Sequence, residues 1–439
     1  MEQTFLSFDR QEKARVNYFR PDRYRTLYKT LNEQLVISIR GAGLSYCAAS
    51  FGEETSVIST KEFNRILSFN ADKNLITVEC GINLGNLLEF LISKEKYIPI
   101  LPGHPTITVG GCIAFNVHGK SQFQFGNFKN GVENFLLYHP SRGEIFCSRD
   151  ENKELFDLTI GGMGFTGYLA QATLRLNDLR GKNLKIKREP VENLNHSVEM
   201  MLGLKDKCDF LYSWNNLNLK QESFGKGFLH IESFTDDAAS SDTEDYTPLE
   251  AQDVNEKEMS LLTAFTSKAM CVTYALLEKA KKSETVLGLK KASFPIHGKE
   301  IYFKLFGARG FREYQLIVSF DAWKAFLNDL QKLISKTNVG ISLGSLKLFA
   351  GKTQYLNFEM DGVCLAIDVP ADKLSLDFFA GLDALMIDYK GLVNLSKDSR
   401  LNVSVVKKLF SEYELFKERI NDFDPTRRFQ SLLRKRLEI

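Results

Sequence analysis

The stretch from Leu101 to Ser121, LPGHPTITVGGCIAFNVHGKS, is rich in glycine and small residues and ends in His118-Gly119-Lys120. It joins backbone able to come close to a large flat molecule with an imidazole and an ammonium able to act on something beside it. Two further stretches have the same character, Val36 to Tyr46 (VISIRGAGLSY) and Gly161 to Leu176 (GGMGFTGYLAQATLRL). Glycine admits positive φ and close approach, so three such turns, each fed by β-branched residues, predict one dinucleotide held by many backbone N–H groups.

A nicotinamide Rossmann domain is disfavoured. Gly162, Gly164 and Gly167 have the spacing G-x-G-x-x-G, but that motif must open a helix. Here Leu169, Gln171, Thr173 and Arg175 alternate with Ala170, Ala172, Leu174 and Leu176, which is a strand pattern. Gly41-Ala42-Gly43 follows a strand but leads into Ser45-Tyr46-Cys47-Ala48-Ala49-Ser50, with neither an amphipathic helix nor the acid that would end a second strand.

The order of these motifs resembles the FAD-binding (PCMH-type) domain of the vanillyl-alcohol-oxidase-like flavoproteins. Within them, the His118-Gly119-Lys120 ending, the run Leu395-Ser396-Lys397-Asp398-Ser399-Arg400, Tyr314-Gln315, Lys347-Leu348-Phe349, Ile367 to Pro370 (IDVP) and the tail from Asp424 to Leu437 are similar to the decaprenylphosphoryl-ribose oxidases. The resemblance runs nearly end to end. It implies an α+β chain: an FAD-binding domain over 1–179, an antiparallel-sheet substrate or cap domain inserted over 180–391, and a return to the FAD domain over 392–439. It implies FAD held by Arg40, Gly41, Ala42, Gly43, Leu44, Ser45 and Tyr46, by Pro102, Gly103, Thr108, Gly110, Gly111, Ala114, Asn116, His118 and Gly119, and by Gly164 and Gly167. The pyrophosphate is expected against Gly41–Tyr46 and the Gly110-Gly111 turn, with the ring near His118 and Gly119.

The implied reaction is oxidation of a sugar's secondary hydroxyl, at the 2-position of a polyprenyl-phosphate-linked pentose, as the first half of an epimerisation in cell-envelope synthesis that a short-chain reductase partner completes. Hydride removal needs the C–H aimed at flavin N5 and a group that takes or stabilises the hydroxyl proton. Lys397 is the leading candidate, with Lys120 and His118 as further catalytic residues; Lys397 can also be read as a surface lysine paired with Asp398. Lys120 and Lys347 would face a phosphate, and Gln315 and Ser213 would bind sugar hydroxyls. His118 could be an acid or base, a core histidine, or a contact under the flavin ring, and the last is favoured. An aldonolactone or sugar-alcohol oxidase of the same superfamily is the alternative enzyme, and a non-catalytic flavin-binding scaffold for a reductase the alternative of another kind.

Three departures refine this. Leu44 occupies the place where many superfamily members carry a flavin-linking histidine, so FAD is expected to be non-covalent. Ala366 stands where mycobacterial relatives have a cysteine, with Cys364 on the same side of the strand. Asn394 replaces an expected aromatic three residues before Lys397.

Composition is compatible with this reading. The chain has 439 residues, 44% of them hydrophobic, enough for one large or two ordinary cores, and its net charge of +2 gives no reason to expect nucleic acid. Seven dispersed cysteines, without C-x-x-C pairs, fit reduced thiols in a cytosolic setting. No signal peptide or membrane span is predicted, so a soluble or peripherally membrane-bound protein follows.

Strands are expected at Leu35–Arg40, Leu75–Glu79, Gly227–Phe234, Tyr314–Phe320 and Val363–Val369, and helices at Asn83–Glu95, Ala322–Lys336 and Val405–Phe416. Thr235–Asp253 is acidic and poor in apolar residues and reads as a mobile surface loop. The basic runs Lys279–Lys291 and Arg427, Arg428, Arg434, Lys435 and Arg436 could meet anionic lipid or remain solvated or helix-capping. The remaining histidines, His104, His139, His196, His230 and His297, lack metal-ligand spacing, and no metal is expected.

Overall fold

The computed structural model describes residues 1–239 and 258–439. Most of the acidic stretch Thr235–Asp253 therefore lies outside the described residues. Among the described residues, three sheets have more than two strands. Near the N-terminus, Glu2–Leu6, Lys13–Phe19, Ser56–Ser59 and Ile37–Arg40 form a mixed sheet of four strands. An antiparallel sheet of five follows, ordered Ile66–Asn70, Leu75–Glu79, Tyr168–Arg175, Val132–His139 and Gly143–Ser148. The glycine turns leave or approach the strands of these two sheets.

An eight-stranded antiparallel sheet takes its strands from Asn183–Val191 through Leu392–Val393. Its centre is Phe210–Asn215, Leu343–Phe349, Gly362–Pro370 and Phe311–Val318. Every residue of Gly362–Pro370 is buried, as befits a strand covered on both faces. Helices Leu194–Leu204 and Lys373–Asp388 pack on one face, where Asn215 Nδ2 donates to Ser197 Oγ at 2.9 Å and the Tyr314 hydroxyl to Asp383 at 2.8 Å. The other face looks toward the glycine turns. The chain is thus α+β.

The expected strands and helices form with ends shifted by a few residues, such as Trp323–Thr337, and Leu84–Ile92 capped by the Asn83 side chain. One expectation is corrected. The helix read over Val405–Phe416 is two helices, Val403–Leu409 and Tyr413–Phe423. Phe410 leaves helical geometry (φ −117°, ψ 101°), and the break lets both Phe410 and Tyr413 enter the core.

The C-terminal segment returns to the N-terminal sheet. Ile37 N–H donates to the Arg428 carbonyl at 2.7 Å and Gln430 N–H to the Ile37 carbonyl at 2.8 Å, so this segment lies alongside the strand that leads into the first glycine turn. It is locked by an ion pair between Arg434 and Asp424 at 2.8 Å, with both side chains fully buried. Arg436 donates to the Asp398 carbonyl at 2.7 Å, and Arg428 to the Leu31 carbonyl at 3.0 Å. These three arginines are therefore internal fasteners and not a lipid-facing patch. Removing one member of a buried pair strands the other charge, at a cost of about 3–5 kcal/mol. Arg434→Ala should lower stability by about that amount in denaturant unfolding; an unchanged midpoint would show that the lock contributes nothing.

Candidate active site

The strand Ile37–Arg40 delivers the first turn. Among the described residues, the backbone N–H groups of Gly41, Ala42, Gly43, Leu44 and Ser45 donate to no protein acceptor. A run of backbone donors without protein acceptors forms a concavity suited to an anion. Gly43 has φ +71°, and a Cβ on Gly41 would lie 2.4 Å from Thr108 Oγ1, so the first two turns press directly together. Arg40 supports this turn from behind: its guanidinium stacks 4.2 Å from the Phe5 ring and bonds Ser50.

In the second turn, Thr108 caps the helix Val109–Ala114 by accepting from Gly111 N–H at 3.2 Å, and Gly110 N–H donates to the Cys80 carbonyl at 2.7 Å. Both amides are thereby spent inside the protein, which corrects the expectation that they meet a pyrophosphate. Gly103 accepts from Ile296 N–H through its carbonyl, beside Pro102. Asn116, in the left-handed region, accepts from Lys129 N–H. Further on, a Cβ on Gly119 would lie 2.4 Å from the Leu101 carbonyl, so only glycine fits, and the N–H groups of His118 and Gly119 have no acceptor among the described residues. The third turn is tied to the same helix by Gly161 N–H to Ile113 and Met163 N–H to Ala114. Gly164 has φ +81° and open space where a Cβ would stand, and Gly167 abuts the Tyr138 carbonyl. The three turns come together, and the unpaired amides fit a dinucleotide carrying a pyrophosphate.

Facing these turns is the open side of the large sheet. Directly opposed residues of neighbouring antiparallel strands share a face, and alternate residues return to it. Glu313 pairs with Asp368, Gln315 with Ala366, Lys347 with Cys364 and Trp214 with Ser345. Of these, Glu313, Gln315 and Lys347 look toward the turns, whereas Trp214 packs on Tyr274 of the helix Ala264–Ala280. Ser213 is on neither side of the site: it stands opposite Leu346 on the helix-covered face and donates to Asn215. Its neighbour Tyr212 is stacked on His230 near the Lys120 ammonium, and the expected substrate-binding role of Ser213 is corrected.

Asn394 positions the candidate base. Its N–H donates to the Gln315 carbonyl at 2.9 Å and its Nδ2 to Gln315 Oε1 at 2.5 Å, while its Oδ1 accepts from Ser396 N–H and Oγ. The short helical turn Leu395–Lys397 follows. Lys397 Nζ then lies 4.0 Å from the centre of the Tyr46 ring and 3.5 Å from Glu313 Oε2. Its ion-pair partner is thus Glu313 and not Asp398, which accepts from Arg400 N–H and pairs with the Arg400 guanidinium. Asp368 Oδ2 accepts from the Tyr302 hydroxyl at 3.0 Å, and burial, with Glu313 beside it, pushes this carboxyl well above the usual carboxylate range.

His118 packs against Phe349 and Phe358 with ring centroids 4.8 and 5.7 Å away, and its Nε2 is 3.4 Å from Gln315 Nε2. Burial, then Lys347 and Lys397, hold its pKa well below 6.5, so the imidazole is neutral. Lys347, partly buried, makes no hydrogen bond or ion pair among the described residues, and burial lowers its pKa. Lys120 differs from the other lysines. Its ammonium is buried, 2.5 Å from Glu232 and 2.7 Å from the Ala292 carbonyl, so its charge is already neutralised. Cys364 is buried, its thiol pushed up to about 12 by burial.

Sequence reasoning missed Glu313, Asp368, Tyr302 and the role of Asn394. An acid inside the apolar run Val363–Val369 was the available signal. It also missed that His104, His297 and Glu300 meet. His104 Nε2 lies 3.1 Å and His297 Nδ1 3.6 Å from Glu300 Oε1, and Thr106 Oγ1 lies 2.7 Å from His104 Nδ1.

Residues 22–147 match the FAD binding domain. The chain is an FAD-dependent oxidoreductase. Among known proteins it is similar to the decaprenylphosphoryl-beta-D-ribose oxidase of Mycolicibacterium smegmatis, with 23% identity over 412 residues, 91% of this chain and 88% of the relative. It is also similar to an uncharacterised protein of Streptomyces coelicolor, with 24% identity over 81% of this chain and all of the relative. The human Delta(24)-sterol reductase is 28% identical over 158 residues, 33% of this chain and 30% of that protein.

Leu44, an aliphatic side chain, has no atom able to form a bond to the flavin. Acid precipitation of the holoprotein should therefore leave the yellow colour in the supernatant; colour retained in the pellet would show a covalent link elsewhere. A second expectation concerns Asp9, which accepts from Ser399 Oγ at 2.6 Å and anchors the segment after Lys397. Burial raises its pKa from 3.8 to about 6. Because the folded value lies above the unfolded one, its contribution to stability is complete below pH 4 and is lost as pH rises through 6. The loss amounts to about 3 kcal/mol. The stability difference between the native protein and Asp9→Asn should shift by that amount between about pH 3 and about pH 7; a flat difference would refute the assignment.

Proposed function

We propose that this protein oxidises a secondary hydroxyl of a sugar, the 2-hydroxyl of a polyprenyl-phosphate-linked pentose, as the first half of an epimerisation that a reductase partner completes. In this reading residues 180–391 form a substrate domain inserted in a two-part FAD domain. The observation that carries the proposal is the Lys397 ammonium, set between Glu313 and the Tyr46 ring beside Lys347 and Gln315 of the sheet, with His118 of the second glycine turn opposite them.

Bound FAD supplies the hydride acceptor. Lys397 binds the reacting hydroxyl and stabilises negative charge on its oxygen as the proton leaves, and Glu313 is the nearest acceptor for that proton. Gln315 has its side-chain oxygen occupied by Asn394 and its Nε2 beside His118 Nε2, so one of the two Nε2 hydrogens is left to donate to a sugar oxygen. Neutral His118 forms an uncharged wall, which keeps the cofactor site free of a third positive charge.

The charge balance favours an anionic substrate. Lys397 faces Glu313, Lys120 is neutralised by Glu232, and Asp368 is held toward its protonated form. Lys347 is left as an uncompensated cation, suited to a phosphodiester.

Anaerobic addition of a water-soluble, short-chain polyprenyl-phosphoryl ribose analogue should bleach the flavin absorbance band. Lys397→Ala should keep its FAD and slow that bleaching by about a hundredfold or more. Bleaching by an aldonolactone or free sugar alcohol, but not by the phosphorylated analogue, would overturn the substrate. Unchanged kinetics in the variant would remove Lys397 from the mechanism.

A further inference from the structure

The helix Ala264–Ala280 has an unusual outer surface. Its inward side is accounted for: Ser267, Cys271 and Glu278 are buried, and Cys271 Sγ contacts the carbonyls of Ile341 and Ser342 at 3.3 and 3.5 Å. Its outward side is apolar as well. Phe265 is 79% exposed, Val272 52%, Leu276 64% and Leu277 59%, and Ala269 and Ala280 continue the same stripe at helical spacing. Met259, Leu261 and Ile301 extend the exposed apolar surface at the helix's N-terminal end, where Leu261 N–H and Leu262 N–H both bond to the Leu305 carbonyl. A continuous exposed patch of large aliphatic and aromatic side chains marks an interaction surface.

Among the described residues, the unpaired charges bordering this surface are positive, with Lys279, Lys282 and Lys304 exposed. The helix's single acid, Glu278, is turned inward and bonded to Lys281, and Glu258 is paired with Arg10 at 2.7 Å. An apolar stripe bordered by lysines, with its acids internal or neutralised, is complementary to the anionic face of a lipid bilayer. With a lysine inside and another at the end, this 17-residue helix is not long and apolar enough to cross a membrane, so it would lie in the interfacial plane.

The surface is also close to the candidate active site. Exposed Ile301 is followed by Tyr302, whose hydroxyl reaches Asp368, and the carbonyls that contact Cys271 belong to the segment entering the strand of Lys347. We infer that the outer face of the helix Ala264–Ala280 docks on an anionic membrane surface and brings the active site to a substrate carried there. The last clause rests on the function proposed above; the docking itself does not.

The test is flotation of the full-length holoprotein, without substrate, on vesicles of phosphatidylcholine alone or mixed with phosphatidylglycerol. The protein should float with the anionic vesicles and release them at high salt. The double variant Phe265→Ser/Leu276→Ser should lose about tenfold or more in binding while keeping its FAD content and circular dichroism. Absence of flotation overturns the inference, as does equal flotation of the variant. A dimer by light scattering that the double variant dissolves would assign the face to a second copy and likewise overturn it. The bleaching experiment with the soluble analogue is independent: flotation without bleaching leaves the membrane face and removes the substrate, and bleaching without flotation does the reverse.

Discussion

The candidate active site depends on how one asparagine grips one glutamine. Asn394 meets Gln315 through both backbone and side chain, and its remaining oxygen holds Ser396. Three constraints are met together. The edge strand Leu392–Val393 is registered against the sheet, the turn that presents Lys397 is started at a defined angle, and the Gln315 amide nitrogen is aimed at His118. Without that grip, Lys397 would have only a partly exposed contact with Glu313 and the Tyr46 ring to hold it. Long side chains restrained in that way lose little of their rotamer freedom.

Around that grip, the site is built by pairing charges unevenly. Lysines 120, 347 and 397 all approach the same region, and a low-dielectric setting makes each unpaired charge costly. The chain neutralises one with Glu232, shares another with Glu313, and leaves Lys347 without a partner among the described residues. It also keeps His118 neutral and Asp368 protonation-prone. A tolerated uncompensated cation in a partly buried place is a cost to folding, and such costs concentrate where binding can offset them.

Much of this was legible in the residues because the demands are local. Gly41 and Gly119 each abut another segment so closely that no side chain fits, and Gly43 needs positive φ. Glycine clusters after β-branched runs signal such demands directly. The strands Gly227–Thr235, Phe311–Val318 and Gly362–Pro370 were legible from their apolar runs. What escaped was set by long-range pairing. Ser213 and Trp214 differ by one position, and one position in a strand decides the face. Lys120 finds Glu232, and His104 finds Glu300, across separations of 112 and 196 residues. The C-terminal basic residues left lipid contact and helix capping open, and only the long-range pairing shows that Arg434 is fully buried on Asp424. Phe410 broke a helix because two aromatic side chains had to enter the same core.

The return of residues 428–430 to Ile37 has a bearing on how the protein is made. The strand that delivers the first glycine turn lies beside backbone that leaves the ribosome nearly four hundred residues later. Contacts of that separation carry the largest loop-closure cost and form late. During synthesis the N-terminal sheet must therefore wait, incomplete along one edge, while the whole eight-stranded sheet is produced. Lys397 and the Asn394 grip emerge only shortly before that edge is closed. A nascent chain halted anywhere in the large sheet would hold the glycine turns without the lysine, and chaperone occupancy should fall chiefly in that interval.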